Sequence, residues 1–575
     1  MYFSLKTISA LRGNSFFGKG FKYLFVTRYN SGVIRSSFPD IDIPNITIPE
    51  YIFRNFTKFP HKIAVECNLT GKRYTFEEVF VKSRNLNRSL RNKLNLKPGD
   101  IVALLLPNIP EYPICILGAL MANLKVTAMN PNHTPTEISN QLDYVNAKAI
   151  VTLTTLTAVV QASIKLANRR MPIIGIKMEE TDTIPEGIID MMEFINTKID
   201  IEDLPPVDTN NTAVLLYSSG TTGLPKGVEL THRNIIANVM QTSGPQIGVC
   251  QEATDQNQDV VPAILPIFHV YGMTSLMFLH MYNLCKIVTM PKFTPEHFVQ
   301  LLINHKPQVL IIVPPIVNLL TNLSSVKKEH LESVRSIYCG GAPLSAQDED
   351  NLSTKIGKKG SVKQGYGLTE TSPTIFLSSV RTANLGIRGT VGELVANTSA
   401  MLIKYDNPDN VITSPYEHGE LLVKGPQVMK GYYNREEENK NAFINGWFKT
   451  GDLAYYDEND LFFISERVKE LIKVKGYQVS PAELEGVLRQ HPDVIEAAVI
   501  GVAHNRYGEV PRAYIVPRPN HKVNVDNIQG YLAEKLADYK QLKGGIEILD
   551  NIPQSASGKI LRKELRKKYI EELQQ

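Results

Sequence analysis

The sequence predicts an α/β fold: a large N-terminal domain of layered βα subdomains, and a smaller α+β domain at the C-terminus. From about Ile48 onward, short apolar β-branched runs alternate with helical patterns, which is typical of mainly parallel sheets connected by helices. The chain has 575 residues and is 43% hydrophobic, which is enough for several substantial cores. After Asp452 an acidic turn and a charged stretch mark a change of composition, and we expect the smaller domain to begin there.

Local patterns predict the individual elements. Thr75 and Glu78 have the spacing of a capping box, which predicts a helix that runs to about Leu94. Short apolar runs bounded by turn residues predict buried strands. In the large domain these strands are expected at residues 101–106, 149–153, 173–176, 213–217, 309–313 and 336–339. In the small domain we expect strands at residues 497–500 and 513–516, a helix near residues 528–536, and a basic segment at residues 559–568.

Charge and cysteine content argue against several classes of function. Lys and Arg number 62 and Asp and Glu number 58, so the net charge of +4 gives no global field that would favour nucleic acid or an anionic membrane. The five cysteines lie far apart without metal-ligand spacing, which favours buried, unreactive thiols. The longest apolar runs are too short, or are broken by proline, so no transmembrane segment is expected.

The first 39 residues differ from the rest of the chain. They contain six Lys or Arg residues and several serines, and no acidic residue precedes Asp40. This composition predicts a mitochondrial transit peptide, with a disordered basic extension as the alternative. The C-terminus is not an SKL-type peroxisomal signal, and the cytosol or the peroxisome remains the alternative location.

A loop rich in glycine and hydroxyl groups directly follows the strand that is predicted to end at Tyr217. Its candidate anion-binding residues are Ser218, Ser219, Gly220, Thr221, Thr222, Gly223 and Lys226. Glycines let the backbone approach an anion closely, hydroxyls donate hydrogen bonds to phosphate oxygens, and lysine adds a positive charge. Because Gly227 follows Lys226, the loop is not a Walker A motif. The pattern predicts a phosphate-binding loop of another kind.

This loop resembles the motif of the acyl-adenylate-forming superfamily, which includes 4-coumarate:CoA ligases, acyl-CoA synthetases and firefly luciferase. Further motifs that match the family occur in its order and extend the resemblance over about residues 48–568. They are Leu265-Pro266-Ile267-Phe268-His269, Gly340-Gly341-Ala342-Pro343-Leu344, Gln364-Gly365-Tyr366-Gly367-Leu368-Thr369-Glu370-Thr371, Thr450-Gly451-Asp452, Arg467-Val468-Lys469-Glu470, Lys475-Gly476-Tyr477-Gln478 and Ser557-Gly558-Lys559. The resemblance implies an adenylate-forming domain over residues 45–465 and a mobile C-terminal domain over residues 466–575.

The resemblance implies a set of residues that bind ATP, Mg²⁺ and coenzyme A. Besides the phosphate-binding loop, these are Gly341, Ala342, Gly365, Tyr366, Gly367 and Leu368 around the adenine, Ile464, and Lys475, Gly476 and Gln478. A carboxylate can accept both hydroxyls of a ribose, and Asp452, at a predicted strand end, is the implied ribose ligand, with Arg467 as a second contact. Thr369 is expected at the α-phosphate, and Glu370 and Thr222 are expected at the magnesium ion.

Two further residues gain a catalytic role only through the resemblance. On sequence alone, Lys559 is an ordinary lysine of a basic tail and His269 is a core histidine. In the family, the lysine bridges the substrate carboxylate and the α-phosphate, and the histidine lies beside the carboxylate. Glu466 stands at the implied hinge where the family usually has Asp or Lys, so its effect on rotation is open.

The implied activity is ATP-dependent ligation of a hydrophobic carboxylate, fatty or aryl, to coenzyme A through an acyl-AMP intermediate, with release of pyrophosphate and AMP. The expected partners are therefore small molecules: the carboxylate, ATP and coenzyme A. Three alternatives remain: luciferase-like oxidation of the adenylate, activation for a carrier protein, and a non-catalytic nucleotide-binding homologue. The sequence does not predict the oligomeric state.

Overall fold

The computed structural model describes residues 32–196, 199, 201–202, 204–205, 207–218, 226–358, 362–404, 407–467, 470–474, 477–519, 521, 523–555 and 558–574, with Glu466 and Gln478 described by their backbone alone. Residues 1–31, which make up most of the predicted transit segment, lie outside this part of the chain. The transit peptide therefore stays a prediction.

A mainly parallel sheet forms the first layer of the large domain, as the sequence predicts. Its strands are, in spatial order, Gly431–Tyr432, Lys226–Thr231, Thr212–Ser218, Lys125–Met129, Ile101–Leu105, Ala149–Leu153, Ile173–Ile176 and Ile189–Asp190. The first three strands pair antiparallel with one another, whereas all the pairs from Thr212–Ser218 onward are parallel. Strands covered by helices on both faces are apolar along their length, which is why these runs were visible in the sequence.

Helices connect and cover this sheet. They are Ile48–Phe53, Phe76–Asn92, Tyr112–Met121, Pro135–Val145, Thr157–Leu166, Met191–Asn196 and His232–Ser243. The predicted capping box is confirmed, because the Thr75 hydroxyl accepts the Glu78 N–H at 3.2 Å while the Glu78 carboxylate accepts the Thr75 N–H at 2.8 Å. Both donors would otherwise lack a partner at the start of the helix.

Two smaller sheets form the second layer. One has the strand order Val260–Ala263, Lys286–Thr289, Ile63–Cys67 and Arg73–Thr75, and the other has the order Val309–Ile312, Ser336–Cys339, Val362–Gly367, Thr374–Leu377 and Glu393–Leu394. Their helices are the π-helix Tyr271–Phe278 with the α-helix Leu279–Tyr282 that follows it, and the α-helices Pro295–His305, Pro314–Asn322, Ala346–Ile356 and Val380–Leu385. Short 3₁₀ turns lie at Phe56–Lys58, Thr154–Leu156, Lys328–Leu331, Thr369–Thr371 and, in the small domain, Asp538–Lys540.

An antiparallel sheet, which the sequence did not predict, completes the large domain. Its strands are Ile34–Arg35, Ser399–Lys404, Gly419–Lys424, Trp447–Tyr456 and Phe443–Ile444 in order, with Asn407–Ile412 and Phe462–Arg467 paired at its side and the helix Glu436–Ala442 beside it. The search for short apolar runs did not predict this sheet because some of its strands, such as Asn407–Ile412, are mostly polar. This sheet carries residues on which the candidate site depends.

The same sheet corrects the predicted boundary of the N-terminal segment. Ile34 is buried and pairs with Ala400. The Ser36 hydroxyl donates to the Leu394 carbonyl at 2.8 Å, and the Ser37 hydroxyl donates to the Glu393 carboxylate at 3.0 Å. The prediction of one separate segment over residues 1–39 is therefore wrong for residues 32–39, because these residues are part of the folded domain.

The C-terminal domain is a compact α+β unit, as predicted. Its sheet has the strand order Tyr477–Val479, Ile472–Val474, Gly508–Pro517 and Val494–His504, with Ile546–Ile548 beside Gly508–Pro517, and its helices are Pro481–Arg489, Val525–Lys535 and Arg562–Gln574. Buried Arg562 pairs with Glu485 at 2.6 Å and with Glu470 at 3.0 Å, which fixes the last helix. The predicted boundary at residue 465/466 falls inside the strand Phe462–Arg467, which still pairs with the large domain.

The expectation of buried thiols is confirmed. Cys67, Cys115, Cys285 and Cys339 are buried, Cys250 is partly buried, and all five are free. Among the described residues, none of the helices combines the length and apolar composition needed to cross a membrane.

Candidate active site

An aromatic platform borders the site on the strand Val362–Gly367. The Tyr366 ring packs against Phe376, with ring centroids 6.0 Å apart. A Cβ atom at Gly367 would lie 1.9 Å from the carbonyl oxygen of Pro373, so this position accepts only glycine. The Gly-Tyr-Gly motif therefore forms the end of a strand that presents one aromatic ring, which is compatible with stacking on a purine.

Asp452 lies at the centre of the site and is 3% exposed. The Tyr366 hydroxyl donates to its Oδ2 at 2.5 Å, and the Arg467 Nε lies 3.2 Å from its Oδ1. Burial and the neighbouring carboxylate of Asp452 raise the pKa of Tyr366, which keeps the phenol protonated as a donor. Two donors from separate strands thus fix the orientation of the carboxylate.

The predicted position of Asp452 at a strand end is wrong. The strand Trp447–Tyr456 continues through it, although its pairing shifts register next to Asp452 on both sides. Gly451, with φ of +72°, adopts the left-handed conformation inside the strand. A bulge of this kind redirects a side chain without ending the strand, and a local sequence pattern cannot distinguish it from a turn.

Glu370 lies on the 3₁₀ turn Thr369–Thr371 and is buried together with Thr369. The Tyr432 hydroxyl donates to its Oε1 at 3.0 Å. The Lys226 ammonium lies 5.0 Å from the centroid of the Tyr432 ring. Burial and the Glu370 carboxylate raise the pKa of Tyr432, so the phenol remains a donor.

Tyr432 is a site residue that the sequence analysis missed. Its strand pairs with Val228, and this pairing brings the ring between Glu370 and Lys226. No local motif signals that contact, because the two strands lie about 200 residues apart in the sequence. The only signal available was a second aromatic residue, Tyr433, next to it.

The ends of the predicted phosphate-binding loop are held close together. Ser218 pairs directly with Lys226 across an antiparallel hairpin. The tip of the loop, with the predicted residues Ser219, Gly220, Thr221, Thr222 and Gly223, lies outside the described residues. The two strand ends that flank the loop therefore lie near Tyr432 and Glu370, while the contacts of the tip stay predictions.

Lys559 approaches the site from the small domain. Its own N–H donates to the Ser555 hydroxyl at 3.1 Å. Burial and the Arg467 guanidinium lower the pKa of its ammonium, while the carboxylates of Glu470 and Asp452 oppose that shift. The lysine therefore lies within electrostatic range of the two residues that are predicted to bind the ribose.

Gly558 holds this lysine loop against the large domain. Its φ is +77°, and a Cβ atom placed on it would lie 3.0 Å from Cδ of Pro315, the second residue of the helix Pro314–Asn322. The backbone next to Lys559 thus packs directly on the large domain, and a side chain at position 558 would be both strained and crowded.

His269 lies just before the π-helix Tyr271–Phe278. Burial, with a smaller effect of the Lys559 ammonium, lowers the pKa of its ring to about 4. The imidazole is therefore neutral near pH 7 and can exchange hydrogen bonds, but it adds no positive charge. The Lys559 ammonium thus lies within electrostatic range of the His269 ring, while the expected position of His269 beside the carboxylate stays a prediction.

Tyr271 forms a flat wall next to His269. Its hydroxyl lies 3.3 Å from the carbonyl oxygen of Tyr338 and 3.4 Å from that of Ile312, and it donates toward both. Its ring covers Gly340, where a Cβ atom would lie 3.4 Å from the ring. The resulting surface beside His269 is aromatic and apolar.

The remaining predicted residues lie around this centre. Gly341, with φ of +84°, and Ala342 follow the strand Ser336–Cys339, and Leu368 and Ile464 are partly buried against the main core. Gln478 lies on the strand Tyr477–Val479, while Lys475 and Gly476 lie outside the described residues. The structure thus brings together Glu370, Asp452, Arg467, His269 and Lys559.

Comparison with known proteins identifies the family. Residues 52–433 match the family model of the AMP-binding enzymes, and residues 483–559 match that of the AMP-binding enzyme C-terminal domain. The first match covers more than half of the chain, and the two matches leave a gap that contains the strands around Asp452 and Arg467.

Full-length relatives and a solved structure agree with this match. A probable 4-coumarate–CoA ligase 1 from Dictyostelium discoideum is 35% identical over 547 residues, which cover 92% of this chain and 97% of the relative. 4-Coumarate–CoA ligase 1 from Arabidopsis thaliana is 35% identical over 554 residues, covering 94% and 96%. The crystal structure of ATP-bound MatB from Rhodopseudomonas palustris superposes with a TM-score of 0.81 at 25% identity, covering 92% and 99%. The chain therefore belongs to the family of AMP-binding enzymes.

Proposed function

We propose that the protein is an ATP-dependent acid:CoA ligase that converts an aryl carboxylate to its CoA thioester through an acyl-AMP intermediate, releasing pyrophosphate and AMP. The observation that carries this proposal is the convergence of Lys559, from the small domain, on Asp452 and Arg467 of the large domain. An interaction protein would have no need to hold a partly buried lysine there, because withdrawing an ammonium from water is unfavourable without a charge to neutralise.

The arrangement fits the electrostatic demands of the first half-reaction. A carboxylate that attacks the α-phosphate of ATP meets like-charge repulsion, and the transition state accumulates further negative charge. A preorganised ammonium in a site that excludes water stabilises such charge by about 3 kcal/mol or more. Lys559 is placed for this role, while neutral His269 can orient the carboxylate by a hydrogen bond. In the second half-reaction, the thiol of coenzyme A displaces AMP from the acyl carbon.

Glu370 is the residue that would hold a magnesium ion together with the phosphates of ATP. Within the described residues, no cluster of three potential ligands forms a complete metal site. Magnesium, however, commonly binds through one or two carboxylates plus substrate phosphates. Tyr432 donates to Oε1 of Glu370, and no described residue forms a hydrogen bond with Oε2, which fits such a shared site. When bound, the ion would neutralise phosphate charge, and Thr222 stays a predicted second contact.

An aryl acid is the substrate class that the site supports best. The Tyr271 ring, flat against Gly340 and anchored through its hydroxyl, offers a planar apolar wall beside His269. Planar rings pack well on such a wall. The names of the relatives from Dictyostelium and Arabidopsis, 4-coumarate–CoA ligases, point to the same class for those proteins. A fatty acid is the alternative that the same apolar wall permits.

The proposal is tested by measuring AMP and pyrophosphate formation by the full chain with ATP, Mg²⁺ and coenzyme A. The panel contains hydroxycinnamates, benzoate, fatty acids of graded length and malonate. We expect CoA-dependent AMP formation to be fastest with an aryl acid. Turnover only with fatty acids or malonate would contradict the substrate class. No turnover with any acid would contradict enzymatic function, and light emission or oxygen uptake would support the luciferase-like alternative.

We also propose that residues 1–31 direct the protein to mitochondria, on the basis of their basic, acid-free composition. The strand Ile34–Arg35 belongs to the folded domain, so an address that is removed after import would have to end before it.

A further inference from the structure

A second concave site lies where the antiparallel sheet meets the start of the helix His232–Ser243. The cavity has a volume of about 750 Å³, and its lining includes Arg35, Arg233, Lys424 and Trp447. None of the described residues that line it is acidic. A volume of this size is in the range that small-molecule ligands occupy, roughly 300–1,000 Å³.

The cavity is separate from the nucleotide site. Trp447 and Asp452 are on one strand, five residues apart, which corresponds to about 16 Å along it. At the cavity, Val423 pairs with Phe448, whereas near Asp452 the same two strands pair through Glu420 and Leu453. The two sites thus lie toward opposite ends of one strand pair and can be occupied at the same time.

Two cationic groups of the cavity, Arg233 and Lys424, have no counter-ion among the described residues. Within the described part of the chain, neither Arg233 nor Lys424 forms an ion pair with a carboxylate, whereas Arg381 in the same domain is paired with Glu393 at 3.1 Å. Like charges that share a concave surface repel one another, and such a surface focuses a positive field. Binding of an anion would relieve this repulsion.

The chemistry of the lining favours a phosphate group. The planar guanidinium group of Arg233 matches the oxygens of a phosphate in a two-pronged geometry, and Lys424 adds a further donor. The indole of Trp447 offers a flat face and an N–H donor. We propose that this cavity binds a phosphate-bearing small molecule at a site distinct from that of ATP. A nucleotide and a phospholipid headgroup are the two sources of this chemistry.

The chain provides its own probe, because Trp447 is its single tryptophan. The full chain, with its nucleotide site saturated with AMP, is titrated with inorganic pyrophosphate while tryptophan fluorescence is recorded. We expect a saturable change. The double variant Arg233→Gln/Lys424→Gln should bind pyrophosphate at least about tenfold more weakly, because it loses two charge-assisted donors.

The matched control is Lys404→Gln, which removes an exposed lysine of the same sheet that has its own partner, Glu417. It should bind pyrophosphate like the unmodified chain. Calorimetry with Trp447→Phe should still detect binding, which shows that the signal does not depend on the fluorophore. Absence of saturable binding, or equal affinity in the folded double variant and the control, would overturn the proposal.

Two further arms distinguish the sources of the phosphate. If the ligand is a nucleotide, ATP should bind the AMP-saturated chain more tightly than pyrophosphate, and the double variant should lose that binding. If it is a headgroup, vesicles with phosphatidic acid should sediment the chain, neutral vesicles should not, and the double variant should remain in solution. Thermal unfolding of each variant verifies that it is folded.

Discussion

Replacement of Gly558 with alanine is expected to slow adenylate formation about 5- to 30-fold while leaving thioester formation from supplied acyl-AMP unchanged. A residue other than glycine at φ of +77° costs about 1–2 kcal/mol, and the added Cβ would lie 3.0 Å from Cδ of Pro315. Because the resemblance implies that the small domain rotates between the half-reactions, we expect the Pro315 contact only while Lys559 is at the site, and we expect the strained loop to relax after the rotation. The strain of Gly558→Ala therefore destabilises the arrangement of the two domains in which Lys559 is at the site. A destabilisation of about 1–2 kcal/mol lowers the population of that arrangement about 5- to 30-fold.

The assay measures the two half-reactions separately: pyrophosphate release without coenzyme A, and CoA thioester formation from synthetic acyl-AMP. Gly486→Ala is the matched control, because Gly486 lies inside the helix Pro481–Arg489 of the same domain with no atom within 4 Å of its added Cβ. It should stabilise the helix by up to about 1 kcal/mol and slow neither step. Equal slowing of both steps by Gly558→Ala, or no slowing of either, would refute the reasoning.

Three further predictions concern the metal site, acid stability and the N-terminus. Tyr432→Phe removes the donor to Glu370 and should lower kcat/KM for ATP about tenfold and raise the Mg²⁺ concentration required for activity. Tyr433→Phe should change neither quantity, and identical Mg²⁺ titrations of the two variants would contradict this prediction. Three histidines, of which two are buried and His269 is partly buried, have a pKa lowered to about 4. The unfolded chain therefore binds more protons below the ordinary histidine pKa of 6.5, and the free energy of unfolding in urea should fall by up to about 2 kcal/mol for each buried histidine between about pH 7 and pH 5; a flat profile would refute it. They are His232, His269 and His280. Deletion of residues 1–31 should abolish mitochondrial import and leave the thermal unfolding temperature unchanged, whereas deletion of residues 1–39 should also lower that temperature; import of the shorter deletion would refute the address.

Local patterns predicted the parts of the fold that local interactions determine. The capping box at Thr75 and buried strands such as Ala149–Leu153 and Ser336–Cys339 lie where the sequence places them, because capping and burial depend on neighbouring residues. The antiparallel sheet was not predicted, since strand pairs such as Ile34 with Ala400 join segments more than 300 residues apart. The basic composition of the N-terminal segment therefore gave no indication of the strand Ile34–Arg35.

In the candidate site, too, local motifs identified individual residues, whereas contacts between distant segments were not predicted. The motifs identified Glu370, Asp452 and Lys559, and the structure brings them into one region. The bulge at Asp452 and the contact from Tyr432 to Glu370 were not visible, because both follow from the register of strands that are distant in sequence. The neutral state of His269 also required the fold, since its pKa is set by burial.

The most direct test of the proposed mechanism is the pair of half-reactions in Lys559→Ala. In the proposed mechanism, the ammonium stabilises the charge that develops when the carboxylate attacks ATP, and it takes no part in the reaction of acyl-AMP with coenzyme A. We predict that pyrophosphate release falls by about 10²- to 10³-fold, while thioester formation from supplied acyl-AMP is retained. Loss of both half-reactions to the same extent, or unchanged pyrophosphate release, would contradict the central role of Lys559.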